Sequence, residues 1–260
     1  MAGMDKVVPT AAEAVADIPA GAAIAVGGFG ISGIPAALID ALAASGIDRL
    51  EVFSNNCGTD RVGLGKLLNN KQIRRIVASY IGENKEFARQ YLAGEVEVEL
   101  TPQGTLAERL RAAGVGVPAF YTMTGIGTQV AAGGLHWRYA PDGYVAVTSP
   151  PKPTAEFDGR TFLLERALPA DFAMLRAWKG DRHGNLVFRK SARNFNPLCA
   201  MAAKTAIAEV EHLVEPGELD PDAIHLPGIY IDRVVPLSPA QATDKSIERL
   251  TVRQRRETAA

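Results

Sequence analysis

Gly27-Gly28-Phe29-Gly30-Ile31-Ser32-Gly33-Ile34-Pro35 packs four glycines ahead of a proline placed where a helix would begin. It follows a continuous apolar run, Ala22-Ala23-Ile24-Ala25-Val26, which suits a strand buried on both faces. A strand that passes through glycines into a helix offers backbone amides to an anion, or to an oxygen that gathers negative charge during a reaction. Glycine also lets a ligand come close to the backbone. Gly28, Gly30 and Gly33 satisfy G-x-G-x-x-G as well. A dinucleotide site would need an acidic residue about 20 residues on, at the end of the second strand, to hold the ribose. That strand ends Phe53-Ser54-Asn55-Asn56, with no carboxylate in place. The plain alternative is a tight turn without a ligand, and for the Asn55-Asn56 pair it is turn chemistry.

Other reactive residue types fall into weaker patterns. The four histidines (His136, His183, His212, His225) never pair at i, i+4, so no helical metal site is expected. His183 lies in a turn-like stretch, Gly180 to Asn185, with no carboxylate partner assignable. Gly184-Asn185 suits the link between two hairpin strands. Cys57 and Cys199 are far apart and form neither a disulfide framework nor a zinc spacing; Cys57 reads as a small packed residue. Phe120, Tyr121 and Trp178 read as core aromatics.

The elements that must position these groups alternate between strand and helix. Thr10 and Glu13 make a capping box ahead of a helix reaching Ile18. Ala36, Ile39, Leu42 and Ala43 mark a helical face that Gly46 ends. Strands are expected at Leu50–Phe53 and Arg74–Tyr80, a helix at Glu83–Ala93, a half-exposed strand through Val96, Val98 and Leu100, and a helix at Thr105–Ala113. Regular structure is expected to resume with Thr161–Leu164, Phe172–Trp178, Thr205–Glu209 and Ile229–Val235. The pattern is that of an α/β fold, an open and mainly parallel sheet with helices on both faces. The Gly/Pro/Thr-rich stretch from Pro118 to Arg160 reads as an irregular or small β flap. A single domain over 1–240 with a charged tail, 241–260, is expected, the tail's Ile247, Leu250 and Val252 ordering against a partner.

The chain has 260 residues, 47% of them hydrophobic, and a formal net charge of −1. The core can be large, and no global basic excess points to nucleic acid. The N-terminus lacks the apolar region of a signal peptide, and no apolar run approaches about 18 residues. A cytoplasmic setting is expected, with no metal.

Ile24-Ala25-Val26-Gly27-Gly28-Phe29, followed by Gly33 and Pro35, resembles the A-subunit signature of the class I CoA-transferases. Gly21 fits the family pattern and Ala20 departs from it. Four further blocks resemble the succinyl-CoA:3-oxoacid branch: Ser54 to Gly58, Ser79 to Asn84, Glu99 to Arg109, and Gly116 to Thr122; Gly180-Asp181 with Gly184-Asn185 does too. The resemblance runs from about Lys6 to Pro236.

It implies a CoA-transferase (NagB/RpiA-like) fold and transfer of CoA between succinyl-CoA and a 3-oxo acid such as acetoacetate. Coenzyme A would be a co-substrate, with no tightly bound cofactor. The family's nucleophile is a glutamate on the B-type subunit, in a Ser-Glu-Asn-Gly setting absent from this chain; Gly82-Glu83-Asn84 comes nearest and reads as a helix start. The resemblance places Gly27, Gly28, Phe29, Gly30, Ile31, Ser32 and Gly33 against CoA, and Asn55, Asn56 and Gln103 at the substrate carboxylate and oxyanion. Amide donors suit that task because they add no fixed charge to pair with the glutamate. The partner would be the CoA-transferase B-type subunit, in an A2B2 assembly. The alternatives are one half of a 3-oxoadipate or acetate:acetoacetate transferase, a stand-alone acyl-CoA hydrolase, or a CoA-binding module.

Overall fold

Thirteen strands and eight α-helices are found among residues 5–245 and 247, which the computed structural model describes. The first half of the chain builds β1 (Ala23–Val26), β2 (Leu50–Phe53), β3 (Ile73–Ala78) and β4 (Glu97–Leu100). Between and around them run α1 (Ala11–Val15), α2 (Ala36–Ser45), α3 (Gly65–Asn69), α4 (Lys85–Leu92) and α5 (Gln103–Gly114). An excursion follows with β5 (Ala119–Thr122), α6 (Gln129–Ala132), β6 (His136–Tyr139), β7 (Val145–Thr148), β8 (Thr154–Phe157) and β9 (Arg160–Arg166). The chain then returns through β10 (Ala170–Asp181), β11 (Leu186–Val187), α7 (Asn196–Ala202), β12 (Ala203–Val214), β13 (Arg233–Pro236) and α8 (Pro239–Thr243).

The main sheet has the order β13-β12-β10-β1-β2-β3-β4, every neighbour parallel, with β11 added antiparallel to β10. The chain starts at β1, works outward to β4, and comes back to place β10 on the other side of β1. The boundary between β1 and β10 is therefore a topological switch point, where such sheets leave a crevice at their carboxyl ends.

Period-two alternation divides the core into two layers. Ile24, Val26, Val52, Met174 and Ile207 face α1, α2, α3 and α4, with Leu38, Leu42, Leu67 and Phe87 filling the space. Ala25, Ala173, Ala177, Ala206 and Ala208 face α5 and α7, joined by Leu106, Leu110 and Cys199. The helices thus cover both faces, as expected. No helix among the described residues is long and apolar enough to cross a membrane.

Local signals work as read. The Thr10 side chain accepts from the Glu13 amide, and Gly46 closes α2 at φ +71°. The 180–185 turn joins β10 to β11 as a hairpin, and Asp181 accepts from the amides of His183 and Asn185. The flap is indeed β: β5, β9 and β8 form one antiparallel sheet, and β6 and β7 another.

Several expectations are corrected. α1 stops at Val15, short of Ile18. Glu83 is exposed and precedes Asn84, whose side chain caps α4 by accepting from Phe87, so it lies outside that helix. On β4 the alternation does not expose the glutamates: Glu99 is buried against Arg109 at 2.6 Å, and Leu100 is exposed. Tyr121 is exposed on the flap, and Trp178 is half-buried between sheet and surface rather than in the core. The final strand begins at Arg233, with Gly228–Tyr230 a 3-10 turn. α7 has no counterpart among the expected elements. Of the tail residues singled out, Leu250 and Val252 lie outside the described residues.

Candidate functional site

β1, β2, β3 and β4 are parallel neighbours that end at one edge of the sheet, so the segments leaving β1, β2 and β4 converge there. Ser54 fixes the first junction: its hydroxyl donates to the Val26 carbonyl at 2.9 Å and its amide to the Val77 carbonyl at 3.1 Å. Asn55 and Asn56 follow, and both are buried. Gln103 is the first residue of α5. Pro102 precedes it and cannot extend the helix backwards, and Arg109, one and a half turns on, ties α5 to Glu99 and to the Arg166 carbonyl. Gln103 is exposed and donates from Nε2 to Asn55 Oδ1 at 2.9 Å. The Gly30 amide donates to Asn56 Oδ1 at 3.1 Å. The structure therefore brings together the glycine loop, Asn55, Asn56 and Gln103.

The loop is more engaged than its sequence suggests. The amides of Gly27, Phe29, Gly30 and Ser32 all have internal acceptors: Met174 O, Ser32 O, Asn56 Oδ1 and Phe29 O. At the start of α2 the Leu38 amide donates to Glu209 Oε2 at 3.0 Å. Glu209, carried in from β12 and fully buried, holds the position an external anion would take at that helix end. This corrects the expectation of open amides at the start of α2. Burial raises the Glu209 carboxyl to about 7, opposed by Arg176 and by the amides of Leu38 and Ala37. Arg176 Nη1 lies 3.1 Å from Glu209, and its Nε lies 3.1 Å from Glu211.

The loop also separates two hollows. Phe29 faces one of about 250 Å³, shared with Gln103, Ala107, Phe195 and Leu198. Ile31, Ser32 and Gly33 face another of about 150 Å³ with Trp178 and Arg189, at the switch point beside β10. The glycines differ accordingly. A Cβ on Gly27 would lie 2.0 Å from Asn196 Oδ1, and one on Gly28 2.7 Å from Ile34 Cγ2. One on Gly30 would meet nothing within 4 Å, although its φ of +60° is left-handed. Gly28→Val is therefore expected to lower the melting temperature. Gly30→Val should cost only the left-handed strain, about 1–2 kcal/mol, and should reveal whether a ligand uses the space. Thermal melts of both variants, with CoA-thioester formation in the assembled enzyme, check this.

Asn196 was missed by sequence reading. It is fully buried, accepts from the Arg176 amide at 3.1 Å and donates to Gly33 O at 3.0 Å, which pins the glycine loop to β10 and α7. Its one local signal is the Asn-Pro pair at 196–197. Burial pushes the Cys57 thiol well above its usual range, which suits packing rather than nucleophilic attack. No cluster of His, Cys, Asp and Glu suited to a metal occurs among the described residues.

The fold agrees with what comparison with known proteins finds. The chain belongs to the Coenzyme A transferase family, whose model matches residues 8–237. It is 66% identical over 252 residues to the A-type subunit of the probable succinyl-CoA:3-ketoacid coenzyme A transferase of Mycobacterium bovis, covering 96% of this chain and 100% of that one. It is 55% identical to the human succinyl-CoA:3-ketoacid coenzyme A transferase 2, mitochondrial, over 92% of this chain and 46% of that one. Among solved structures, the acyl-CoA transferase apoenzyme of Escherichia coli O157:H7 superposes with a TM-score of 0.77 at 25% identity, over 93% of this chain and 48% of that one. The chain thus spans about half the length of the human and E. coli proteins.

Proposed function

We propose that this chain is the A-type subunit of a succinyl-CoA:3-oxoacid CoA-transferase, active only with its B-type counterpart. What carries the reading is the end-to-end match to a relative that is an A-type subunit by name, beside a human relative of which this chain corresponds to one half. The B-type subunit supplies the glutamate that attacks the thioester carbonyl. CoA thiolate leaves and an acyl-glutamyl anhydride forms; the returning thiolate attacks its glutamyl carbonyl, the C–O bond breaks and the donor acid leaves as its carboxylate, and the acceptor acid takes CoA from the resulting enzyme thioester by the same steps in reverse. Each addition develops an oxyanion that fixed donors stabilise. In this reading Gln103, Asn55 and Asn56 serve the substrate carboxylate and oxyanion, with Gln103 the donor nearest the substrate, and Gly27 to Gly33 contact CoA. The working unit is A2B2 in the cytoplasm, with residues 1–240 as one domain.

The isolated chain is expected to show no CoA transfer from succinyl-CoA to acetoacetate. Co-purification with the B-type subunit should restore it, and the pair should co-elute as a heterotetramer by light scattering. Robust turnover by the isolated chain, sensitive to Glu83→Ala, would overturn the composite site. Hydrolysis of acyl-CoA without transfer would favour a hydrolase.

A further inference from the structure

Three carboxamides and one hydroxyl meet at the strand ends, and their hydrogen bonds fix one another's direction. The fixed point is a backbone group. The Gly30 amide can only donate, so the Asn56 atom 3.1 Å away is its oxygen. Asn56 also donates from Nδ2 to Gly58 O at 3.3 Å, which agrees with that orientation. Asn56 Oδ1 faces the end of the Asn55 amide at 3.5 Å, where a second oxygen would be repelled, so Asn55 turns Nδ2 toward it. Asn55 Oδ1 must then point the other way, at Ser79 Oγ (2.7 Å) and Gln103 Nε2 (2.9 Å). In that orientation both groups donate, and the Ser79 hydroxyl, which also lies 3.0 Å from the Asn55 carbonyl oxygen, has its shorter contact with Asn55 Oδ1. The Gln103 amide, held this way round, has its second N–H left for the hollow it shares with Phe29.

We propose that Ser79 is a positioning residue for CoA transfer: its hydroxyl, by donating to Asn55 Oδ1, locks the amide relay in the polarity that presents Gln103 as a hydrogen-bond donor. Ser79 is held for this task, since its amide donates to the Asn55 carbonyl at 3.0 Å as β3 ends. With the hydroxyl gone, Asn55 Oδ1 keeps one donor instead of two. The Asn55 and Gln103 amides can then turn over together, opposed only by the long 3.5 Å contact with Asn56 Oδ1, and direct the Gln103 oxygen at the substrate. The Gly30 amide anchors one end of the relay and Ser79 the other, so the glycine loop also acts on the site through Asn56. The inference rests on the transferase reading given above.

The test measures steady-state rates of transfer from succinyl-CoA to acetoacetate in the chain assembled with the B-type subunit. Ser79→Ala is expected to lower kcat about tenfold, the scale of one neutral hydrogen bond, with both KM values within twofold of wild type. Ser79→Cys, which fills the same space but donates weakly, should behave like Ser79→Ala. Ser79→Thr, which keeps the hydroxyl, should recover most of the rate. Full activity in Ser79→Cys, or no recovery in Ser79→Thr, would show that the residue serves packing and would overturn the proposal. Unchanged kcat in Ser79→Ala would do the same. If Ser79→Ala does not assemble with its partner, the Cys and Thr variants decide alone. An inactive wild-type complex would count against the transferase reading instead, so the two failures are distinguishable.

Discussion

Replacing Gln103 with alanine, in the chain assembled with its partner, is expected to lower kcat by about 10²–10³, or about 2.7–4 kcal/mol of transition-state stabilisation. The effect should fall on kcat and not on folding. Gln103 is exposed at the first turn of α5, and its one described side-chain hydrogen bond goes to Asn55. The helix itself is anchored elsewhere, by Leu106 and Leu110 in the core and by Arg109 on Glu99. Gln103→Glu tests the chemistry more narrowly, since it keeps the shape but replaces the donor with a carboxylate. It should be no more active than the alanine variant. A rate within twofold of wild type for either would remove Gln103 from the site.

The largest expected loss of stability comes from Glu209→Ala. It strips a buried partner from Arg176 and leaves the Leu38 amide without its acceptor. Breaking a buried pair on one side costs about 3–5 kcal/mol. Arg176 keeps Glu211, so the lower end is expected, a fall in melting temperature of roughly 6–12 °C for a chain of this size. Glu209→Gln is the instructive control. The folded-state carboxyl is raised to about 7 from an ordinary 4.5. Between those values the folded protein holds a proton that the unfolded chain has released. The contribution of Glu209 to stability is therefore greatest at low pH and declines as pH rises through that window. Gln cannot titrate, so Glu209→Gln should gain on the wild type between pH 5 and pH 8. Denaturant unfolding at the two pH values measures the difference, and a difference that does not change with pH would show that Glu209 is ionised throughout.

What the sequence discloses, and what it withholds, follows from the range over which each residue acts. Thr10, Gly46 and the 180–185 turn act on neighbours a few positions away, so their residue types suffice. Asn55, Asn56 and Gln103 could be expected to converge because parallel strands put their carboxyl ends on one edge. Glu209 could not be read that way, since it meets Leu38 across 171 positions. Asn196 likewise reaches Gly33 across 163, and Ser79 looks like any hydroxyl after a strand. The sequence ends β10 at Trp178 because Lys179, Gly180 and Asp181 break the apolar run. The strand continues because β12 pairs with it through the backbone as far as Asp181–Val214, which requires no apolar side chain. On β4 a carboxylate-rich pattern that suggests solvent is in fact an ion-pair seam, with Arg75 and Arg109 brought to Glu99 from neighbouring elements.

The placement of β10 beside β1 has a consequence for how the molecule is made. Ile24 pairs with Phe172, so the first strand synthesised receives its second neighbour only after about 150 further residues. At ordinary elongation rates of about 5–20 residues per second, that interval is on the order of 10–30 s. During it the four-stranded half-sheet β1 to β4 can form, but the outer edge of β1 has unpaired amides and carbonyls beside an all-apolar sequence. Such an edge recruits other chains. A nascent chain stalled, or a fragment ended, between β9 and β10 should therefore be aggregation-prone. One extended through Val214 should lose that tendency, because β10 then covers β1 and β12 in turn covers β10.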